Sequence, residues 1–140
     1  FEGSFHQIDR GNCVPAPAKP IPVWFGGRSA ASRRRAVALG DGFVFPTASR
    51  AAQESCAMLL EDLEANGRRS GFGIDALIGF GDGPETWHAA IAAWDELGAD
   101  TLSVRAMSAS SKSVGEVDPG FTSPQQHIDA LAVFMAEVGP

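Results

Sequence analysis

The sequence predicts an α/β protein in which short parallel strands alternate with amphipathic helices. Two observations support this prediction: the order strand–helix recurs four times between residues 21 and 140, and the links between elements are short. Parallel neighbours require a crossover of the chain, usually a helix, so this order favours a parallel sheet. Four such units amount to half of an eight-stranded β/α barrel or to a small open sheet.

An extended approach, residues 1–20, precedes the four β/α units of residues 21–140. Three prolines between residues 15 and 20 exclude a helix from the second half of this approach. An apolar strand is predicted over Ile21–Phe25. The helix that follows is expected from Ala30 to about Leu39, where a glycine ends it.

Between this strand and helix lies Gly26-Gly27-Arg28-Ser29, the best candidate of the chain for binding an anion. Two glycines let backbone N–H groups crowd together, and a helix start leaves N–H groups unpaired. Arg28 adds a guanidinium, which pairs well with phosphate, and Ser29 adds a hydroxyl. The alternative is a tight turn in which a glycine adopts a positive φ.

The second and third units combine short strands with clearly amphipathic helices. Strand two is predicted at Phe43–Phe45, and strand three within Ile74–Phe80, with residues 76–80 as its part of the sheet. The expected buried positions of the two helices are Ala52, Cys56, Leu59, Leu60 and Leu63, then Trp87, Ala90, Ile91, Trp94 and Leu97. Cys56 is therefore expected in the core rather than as a nucleophile.

The fourth unit is predicted as a strand at Thr101–Val104, a mobile loop rich in serine and glycine over residues 107–122, and a final helix. Ser123-Pro124-Gln125-Gln126 has the form of a capping box with proline at the first helical position. The buried face of this helix is expected at Ile128, Leu131, Ala132, Met135 and Val138.

Composition limits both the number of domains and the class of partner. The chain has 140 residues, 44% of them hydrophobic and 20% charged, so it fits one globular domain. A net charge of -6 argues against a nucleic-acid partner, and no apolar run is long enough to cross a membrane. Cys13 and Cys56 lie in dissimilar settings, which favours reduced thiols and a cytoplasmic protein. The start at Phe1, without a signal peptide, predicts a piece of a longer protein.

No arrangement of catalytic side chains is legible in the sequence. His6, His88 and His127 are far apart and lack metal-ligand spacing, so no metal site is expected. The consecutive arginines 33–35 cannot share one helix face. At most one of them could look toward a site, and solvation or salt bridging is the default for all three.

Several segments, taken in chain order, carry a resemblance to a known family. They are Phe1-Glu2-Gly3-Ser4-Phe5-His6, Pro20-Ile21-Pro22-Val23-Trp24-Phe25-Gly26-Gly27, Arg34-Arg35-Ala36 with Leu39-Gly40-Asp41-Gly42-Phe43, Gly81-Asp82-Gly83-Pro84-Glu85 with Trp87, Trp94 with Leu97-Gly98-Ala99 and Leu102-Ser103-Val104, and Gln126-His127-Ile128 with Ala130-Leu131. Together they resemble the luciferase-like monooxygenase family. The resemblance implies a (β/α)8 TIM barrel that uses reduced FMN or the deazaflavin coenzyme F-420, with a lean toward F-420.

The resemblance also implies what the chain contains. Its strands would be five to eight of the barrel, so the first four units, which supply much of the pocket for the redox-active ring, would be absent. Sites in such barrels lie at the carboxyl ends of the strands. The candidates for contact with the cofactor are Gly26, Gly27, Arg28, Ser29, Pro46 and Thr47. Arg105 and His127 are weaker candidates for contact with substrate, and no catalytic residue is identified.

Two functions are open for such a chain. In the first, it is the C-terminal half of an FMN- or F-420-dependent oxidoreductase that acts on a small-molecule substrate, inactive by itself and completed by the missing N-terminal half-barrel. In the second, it is a stand-alone half-barrel that pairs with a second copy and binds an anionic ligand without catalysis. The unpaired edges of a four-stranded sheet predict a homo-oligomer.

Overall fold

The computed structural model describes residues 2–11, 14–107 and 117–139, which contain one sheet of four parallel strands. The strands are β1 Trp24–Gly26, β2 Gly42–Phe45, β3 Gly73–Gly79 and β4 Thr101–Arg105, and they lie in the order β1-β2-β3-β4. The helices are α1 Ala30–Leu39, α2 Arg50–Ala65, α3 Pro84–Glu96 and α4 Pro124–Val138, and one 3-10 turn, Phe80–Asp82, precedes α3. All three strand pairs are parallel, so the predicted parallel α/β sheet is confirmed.

Capping residues set the helix boundaries largely where the sequence places them. The Ser29 hydroxyl accepts a hydrogen bond from the N–H of Ser32 at 3.1 Å and so caps α1. Proline occupies the start of both α3 and α4, where a missing N–H costs nothing. At α4, the Gln126 side-chain oxygen accepts from the N–H of Ser123 at 3.0 Å, as the predicted capping box requires.

The first strand is shorter than predicted. The expected strand Ile21–Phe25 is wrong at its start, because β1 covers only Trp24–Gly26. The carboxylate of Asp41 accepts a hydrogen bond from the N–H of Val23 at 2.8 Å, and the N–H of Asp41 donates to the Val23 carbonyl at 2.7 Å. Val23 is therefore bonded to one aspartate rather than to a neighbouring strand, and Pro22 has no N–H to offer.

The two faces of the sheet differ in what covers them. One face is buried against the helices through Phe43, Phe45, Ile74, Ala76 and Ile78. The opposite face, which we call the open face, carries Trp24, Val44, Asp75, Leu77 and Ser103, all exposed or half-buried. Right-handed crossovers between successive neighbouring strands put α1, α2 and α3 on the same side of the sheet. This is the arrangement of half a β/α barrel.

A tryptophan lies across a row of glycines on the open face. Trp24, Gly42 and Gly73 are partners in register across β1, β2 and β3. A Cβ atom added to either glycine would collide with the indole ring of Trp24. The two glycines therefore allow the ring to rest on the backbone of the sheet, a close approach that a side chain would prevent.

The buried faces of α2 and α3 agree with the sequence pattern. Cys56, Leu59 and Leu63 are fully buried on α2, and the indole rings of Trp87 and Trp94 are buried on α3. The remaining apolar positions predicted for these helices pack against the same core: Ala52, Leu60, Ile91 and Leu97. The ring of Trp94 lies 5.2 Å from that of Phe45, so α3 packs directly on β2.

The predicted face of α4 is wrong except at Val138, which packs against the core. Ala130 and Phe134 are its buried residues, whereas Ile128 is 60% exposed and Met135 is 57% exposed. The ring of Phe134 packs 5.0 Å from that of Trp87, and this aromatic contact sets the rotation of the helix. Three apolar side chains of the expected face, Ile128, Leu131 and Met135, consequently point away from the core; we call them the outer stripe of α4.

Some expectations fall on residues outside the described ranges. These are the setting of Cys13 and most of the loop predicted over residues 107–122. Among the described residues of the N-terminal approach, 2–11 and 14–20, there is no helix, and an isolated antiparallel bridge joins Glu2 to Gln7. None of the helices in the described ranges is long and apolar enough to cross a membrane.

Candidate functional site

A cavity of about 230 Å³ lies at the carboxyl end of the sheet, beside the ends of β1 and β2. It is lined by three segments: Gly27 and Arg28 after β1; Phe45, Pro46 and Thr47 at the end of β2; and Ser49, Ala51, Ala52 and Ser55 at the start of α2. None of these nine residues is acidic. Four of the six predicted cofactor contacts, Gly27, Arg28, Pro46 and Thr47, are thus brought together around one space.

The starts of two helices flank this cavity. α1 begins shortly after Gly27, and the first turn of α2 forms part of the wall. The Ser49 hydroxyl makes no capping hydrogen bond to α2 and lies instead 2.9 Å from the Thr47 hydroxyl. The first N–H groups of a helix have no acceptor within it, and they carry partial positive charge. Both helices therefore favour a negative charge in the cavity.

Gly27 adopts a conformation that only glycine takes readily. Its φ is 132°, and an added Cβ would lie 3.1 Å from the Ser32 hydroxyl oxygen. The tight turn that the sequence offered as an alternative to an anion site is therefore present. The same turn forms one wall of the cavity, so the two interpretations of the double glycine are compatible.

Two predicted contacts do not line the cavity. Gly26 is the last residue of β1, and a Cβ there would approach the Val44 carbonyl at 3.3 Å. The Ser29 hydroxyl is occupied as the cap of α1, with hydrogen bonds to Ser32. These residues shape the turn rather than face the cavity.

The candidates for contact with substrate, Arg105 and His127, each hydrogen-bond to a backbone carbonyl that follows a strand. Arg105 donates to the Pro46 carbonyl at 2.9 Å, reaching across β3 to the loop after β2. His127 donates from Nδ1 to the Ala106 carbonyl at 2.5 Å, and its ring packs edge-on against Phe121. Arg105 thereby ties the fourth β/α unit to the second, and His127 ties α4 to the end of β4.

The wall of the cavity formed by residues 46–49, which we call the cavity loop, is held from three sides. The indole N–H of Trp94 donates to the Ala48 carbonyl at 3.1 Å, and the Gln53 amide donates to the same oxygen at 3.2 Å. Arg105 supplies the third bond, at Pro46. Because Trp94 is fully buried, this loop is anchored directly to the hydrophobic core.

Sequence reasoning did not select Arg33, which the structure brings next to the cavity. Its Nη1 donates to the hydroxyl of Ser55 at 2.9 Å, while Arg34 and Arg35 are exposed. The buried positions of α1 are Ser32, Ala36 and Val37, and residue 33 lies on the same side of the helix. This pattern of small residues could have indicated which side of α1 faces the protein. The low hydrophobicity of the helix made the pattern weak.

Two further reactive side chains of the described residues, Cys56 and His88, do not line the cavity. Cys56 is buried, and this burial raises the pKa of its thiol to about 11, although the charge of Arg69 opposes the shift. The expectation that Cys56 belongs to the core is confirmed. His88 is exposed and lies 3.2 Å from a carboxylate oxygen of Glu137. Within the described ranges, no cluster of His, Cys, Asp or Glu could hold a metal ion.

Comparison with known proteins identifies a family. The family described as luciferase-like monooxygenase matches residues 1–134, nearly the whole chain. No curated protein matches it.

Proposed function

The chain belongs to the luciferase-like monooxygenase family, and on this premise we propose that it supplies the part of an oxidoreductase site that holds the phosphate of reduced FMN or coenzyme F-420. The observation that supports this proposal is the cavity between the starts of α1 and α2, with Arg28 at its wall and no acidic lining residue. Phosphate groups bind well where helix N-termini and guanidinium groups converge.

The size of the cavity fits part of such a cofactor. A volume of about 230 Å³ accepts a phosphate and the adjoining chain, but it is below the range of pockets that enclose a whole drug-sized ligand. Gly27 would offer close approach to the backbone, Arg28 its charge, and Thr47, Ser49 and Ser55 their hydroxyl groups. The cofactor, when bound, supplies the redox chemistry, so the role of these residues is to bind and orient it.

The rest of the cofactor requires surface that this sheet does not enclose. The open face is uncovered, and within the described ranges β1 and β4 each pair with one strand only. We propose that these strands are five to eight of a (β/α)8 barrel, and that four further units cover the open face and the outer stripe of α4. A small-molecule substrate would then lie near Arg105 and His127, and the chain alone would be inactive.

The alternative function is a half-barrel that self-associates and binds an anion without catalysis. The open face and the outer stripe of α4 support this alternative equally, because a second copy could cover the same apolar surface. Sedimentation separates the two proposals. A stable dimer at micromolar concentration favours self-association, whereas a monomer that becomes enzymatically active only with a co-expressed N-terminal half-barrel favours the oxidoreductase.

Titration with FMN tests the cavity itself. Two or three charge-assisted hydrogen bonds, at roughly 1.5–3 kcal/mol each and less the cost of association, correspond to millimolar binding at best. Chemical-shift changes in NMR spectra should centre on residues 26–30 and 46–55. The Gly27→Val variant should lose this binding, because the new side chain meets Ser32 and blocks the backbone.

Gly67→Ala is the matched control for this experiment. Gly67 also has a positive φ, of 64°, but it ends α2 away from the cavity and has open space around it. This variant should lose stability, because alanine is strained at positive φ, yet bind FMN as the unaltered chain does. Equal shifts in the Gly27→Val variant would show that the double glycine is only a turn.

A further inference from the structure

Arg33 is a partly buried cation that donates a strong hydrogen bond to a residue of the cavity wall. Its Nη1 donates to the Ser55 hydroxyl oxygen at 2.9 Å, and its Nη2 lies 3.7 Å from the sulfur of Met58. Its Nε is buried and has no hydrogen-bond partner. Arg33 takes part in none of the ion pairs found in the described ranges. No carboxylate of the described residues therefore forms an ion pair with it.

The hydrogen bond to Ser55 determines what the serine can offer. A guanidinium only donates, so the Ser55 oxygen must accept in this bond and its own proton is directed elsewhere. No acceptor for that proton is found among the described residues, and Ser55 lines the cavity. The hydroxyl is thus left as a donor for an oxygen bound there, and the charge of Arg33 strengthens it in that role.

We infer that Arg33 is a positioning residue that acts through Ser55 and makes the cavity prefer a doubly charged phosphomonoester over a singly charged phosphodiester. The inference rests on the proposed phosphate site and adds its selectivity. Arg28 at the cavity wall supplies one positive charge and Arg33 behind Ser55 supplies a second, with no acidic lining residue to offset them. Among flavin-type cofactors, this charge favours one that ends in a phosphomonoester, as FMN does.

The test compares methyl phosphate, which is a dianion at pH 8, with dimethyl phosphate, a monoanion. Both are titrated into the 140-residue chain and followed by NMR. The unaltered chain should bind methyl phosphate roughly tenfold more tightly, as expected for one additional charge interaction across a solvated site. Its affinity for methyl phosphate should rise with pH through the second pKa of the phosphate, near 6.

Variants of α1 separate a local effect from a general effect of charge. Arg33→Gln should remove the preference and flatten the rise with pH, whereas Arg33→Lys, which keeps the charge, should retain part of both. Arg34→Gln is the matched control: it removes the same charge from an exposed position of the same helix and should leave the preference intact. Ser55→Ala should lose as much as Arg33→Gln, and combining the two should cost little more.

The outcomes distinguish this inference from the proposed function. If the unaltered chain binds both phosphates equally, with shifts around Gly27, the proposed site stands and the role of Arg33 is overturned. An equal loss in the Arg34→Gln variant overturns it as well, because the effect is then long-range. If neither phosphate binds, the phosphate site itself is refuted, and the inference with it. If the Arg33→Gln variant unfolds, the inference is still tested by the phosphate preference of the Arg33→Lys variant and by the pH dependence of its affinity for methyl phosphate.

Discussion

Replacing Trp94 with phenylalanine tests whether the core of the protein holds the cavity in place. Trp94 is fully buried on α3, and its indole N–H donates to the carbonyl of Ala48 in the cavity loop at 3.1 Å. Phenylalanine keeps an aromatic ring next to Phe45, whose centroid lies 5.2 Å from that of Trp94. It removes the N–H group and two ring carbons, so the substitution removes the hydrogen bond from α3 to the loop.

The cost follows from these two losses. A hydrogen bond contributes roughly 1 kcal/mol net to stability. Two buried carbons, at about 0.8 kcal/mol each, contribute about 1.6 kcal/mol more. We expect the free energy of unfolding to fall by roughly 2–3 kcal/mol, a large part of the total of a typical domain. Because Ala48 keeps its bond from Gln53, the loop should loosen rather than detach.

Urea denaturation measures the stability, and NMR titration with phosphate measures the cavity. Trp87→Phe is the matched control, since Trp87 is also buried on α3 and donates its indole N–H to the Gly79 carbonyl at 3.0 Å. Gly79 does not line the cavity. Both variants should lose similar stability, but only Trp94→Phe should bind phosphate severalfold more weakly. Equal phosphate affinity in the two variants, or a stability loss below about 1 kcal/mol, would refute the reasoning.

Three further predictions concern the core, the open face and the end of α1. Cys56 should react with iodoacetamide at neutral pH only as the chain unfolds. The free energy of unfolding should fall as pH rises from 9.0 toward about 11, because the folded state retains the thiol proton; Cys56→Ala should lack this loss. Gly73→Ala should displace the ring of Trp24, shift its fluorescence emission and destabilise the sheet, and the loss should disappear in a Trp24→Ala background. Arg68→Met removes hydrogen bonds to two carbonyls at the end of α1 and should cost roughly 1.5–3 kcal/mol in urea denaturation. The exposed Arg35→Met should cost far less.

The parallel sheet could be predicted because local signals and periodicity agree along most of the chain. Glycines, prolines and capping serines mark the helix ends. The apolar residues of α2 and α3 lie on one side of each helix only, so the buried side is unambiguous. The strand Ile21–Phe25 failed because its alternative partner, the side chain of Asp41, is remote in sequence. When a side chain takes the hydrogen bond that a neighbouring strand would otherwise make, the sequence shows no periodic pattern that reveals it.

The error on α4 has a different physical cause. The helix is apolar on two sides, with Phe134 on one and the outer stripe on the other. Periodicity cannot choose between two such sides, and the contact of Phe134 with Trp87 decides it in this chain. Both sides would be buried if a further helix packed on the outer stripe.

The candidate site was predicted at the ends of β1 and β2, but not at the start of α2. Gly27 and Arg28 follow a strand and precede a helix, a pattern with a known physical meaning. The contribution of α2 was missed, because Ser49 and Ser55 look like ordinary residues at the start of a helix. Only the pairing of β1 with β2 shows that two helix starts share one cavity.

The simple strand order β1-β2-β3-β4 also has a consequence for the way the chain is made. Each strand pairs only with the strand before or after it in the sequence, so none has to be inserted between partners that have already joined. A chain that leaves the ribosome N-terminus first can therefore pair β1 with β2 before α3 has been synthesised. Each later pairing closes a loop of only one crossover, which keeps the entropy cost of every step small.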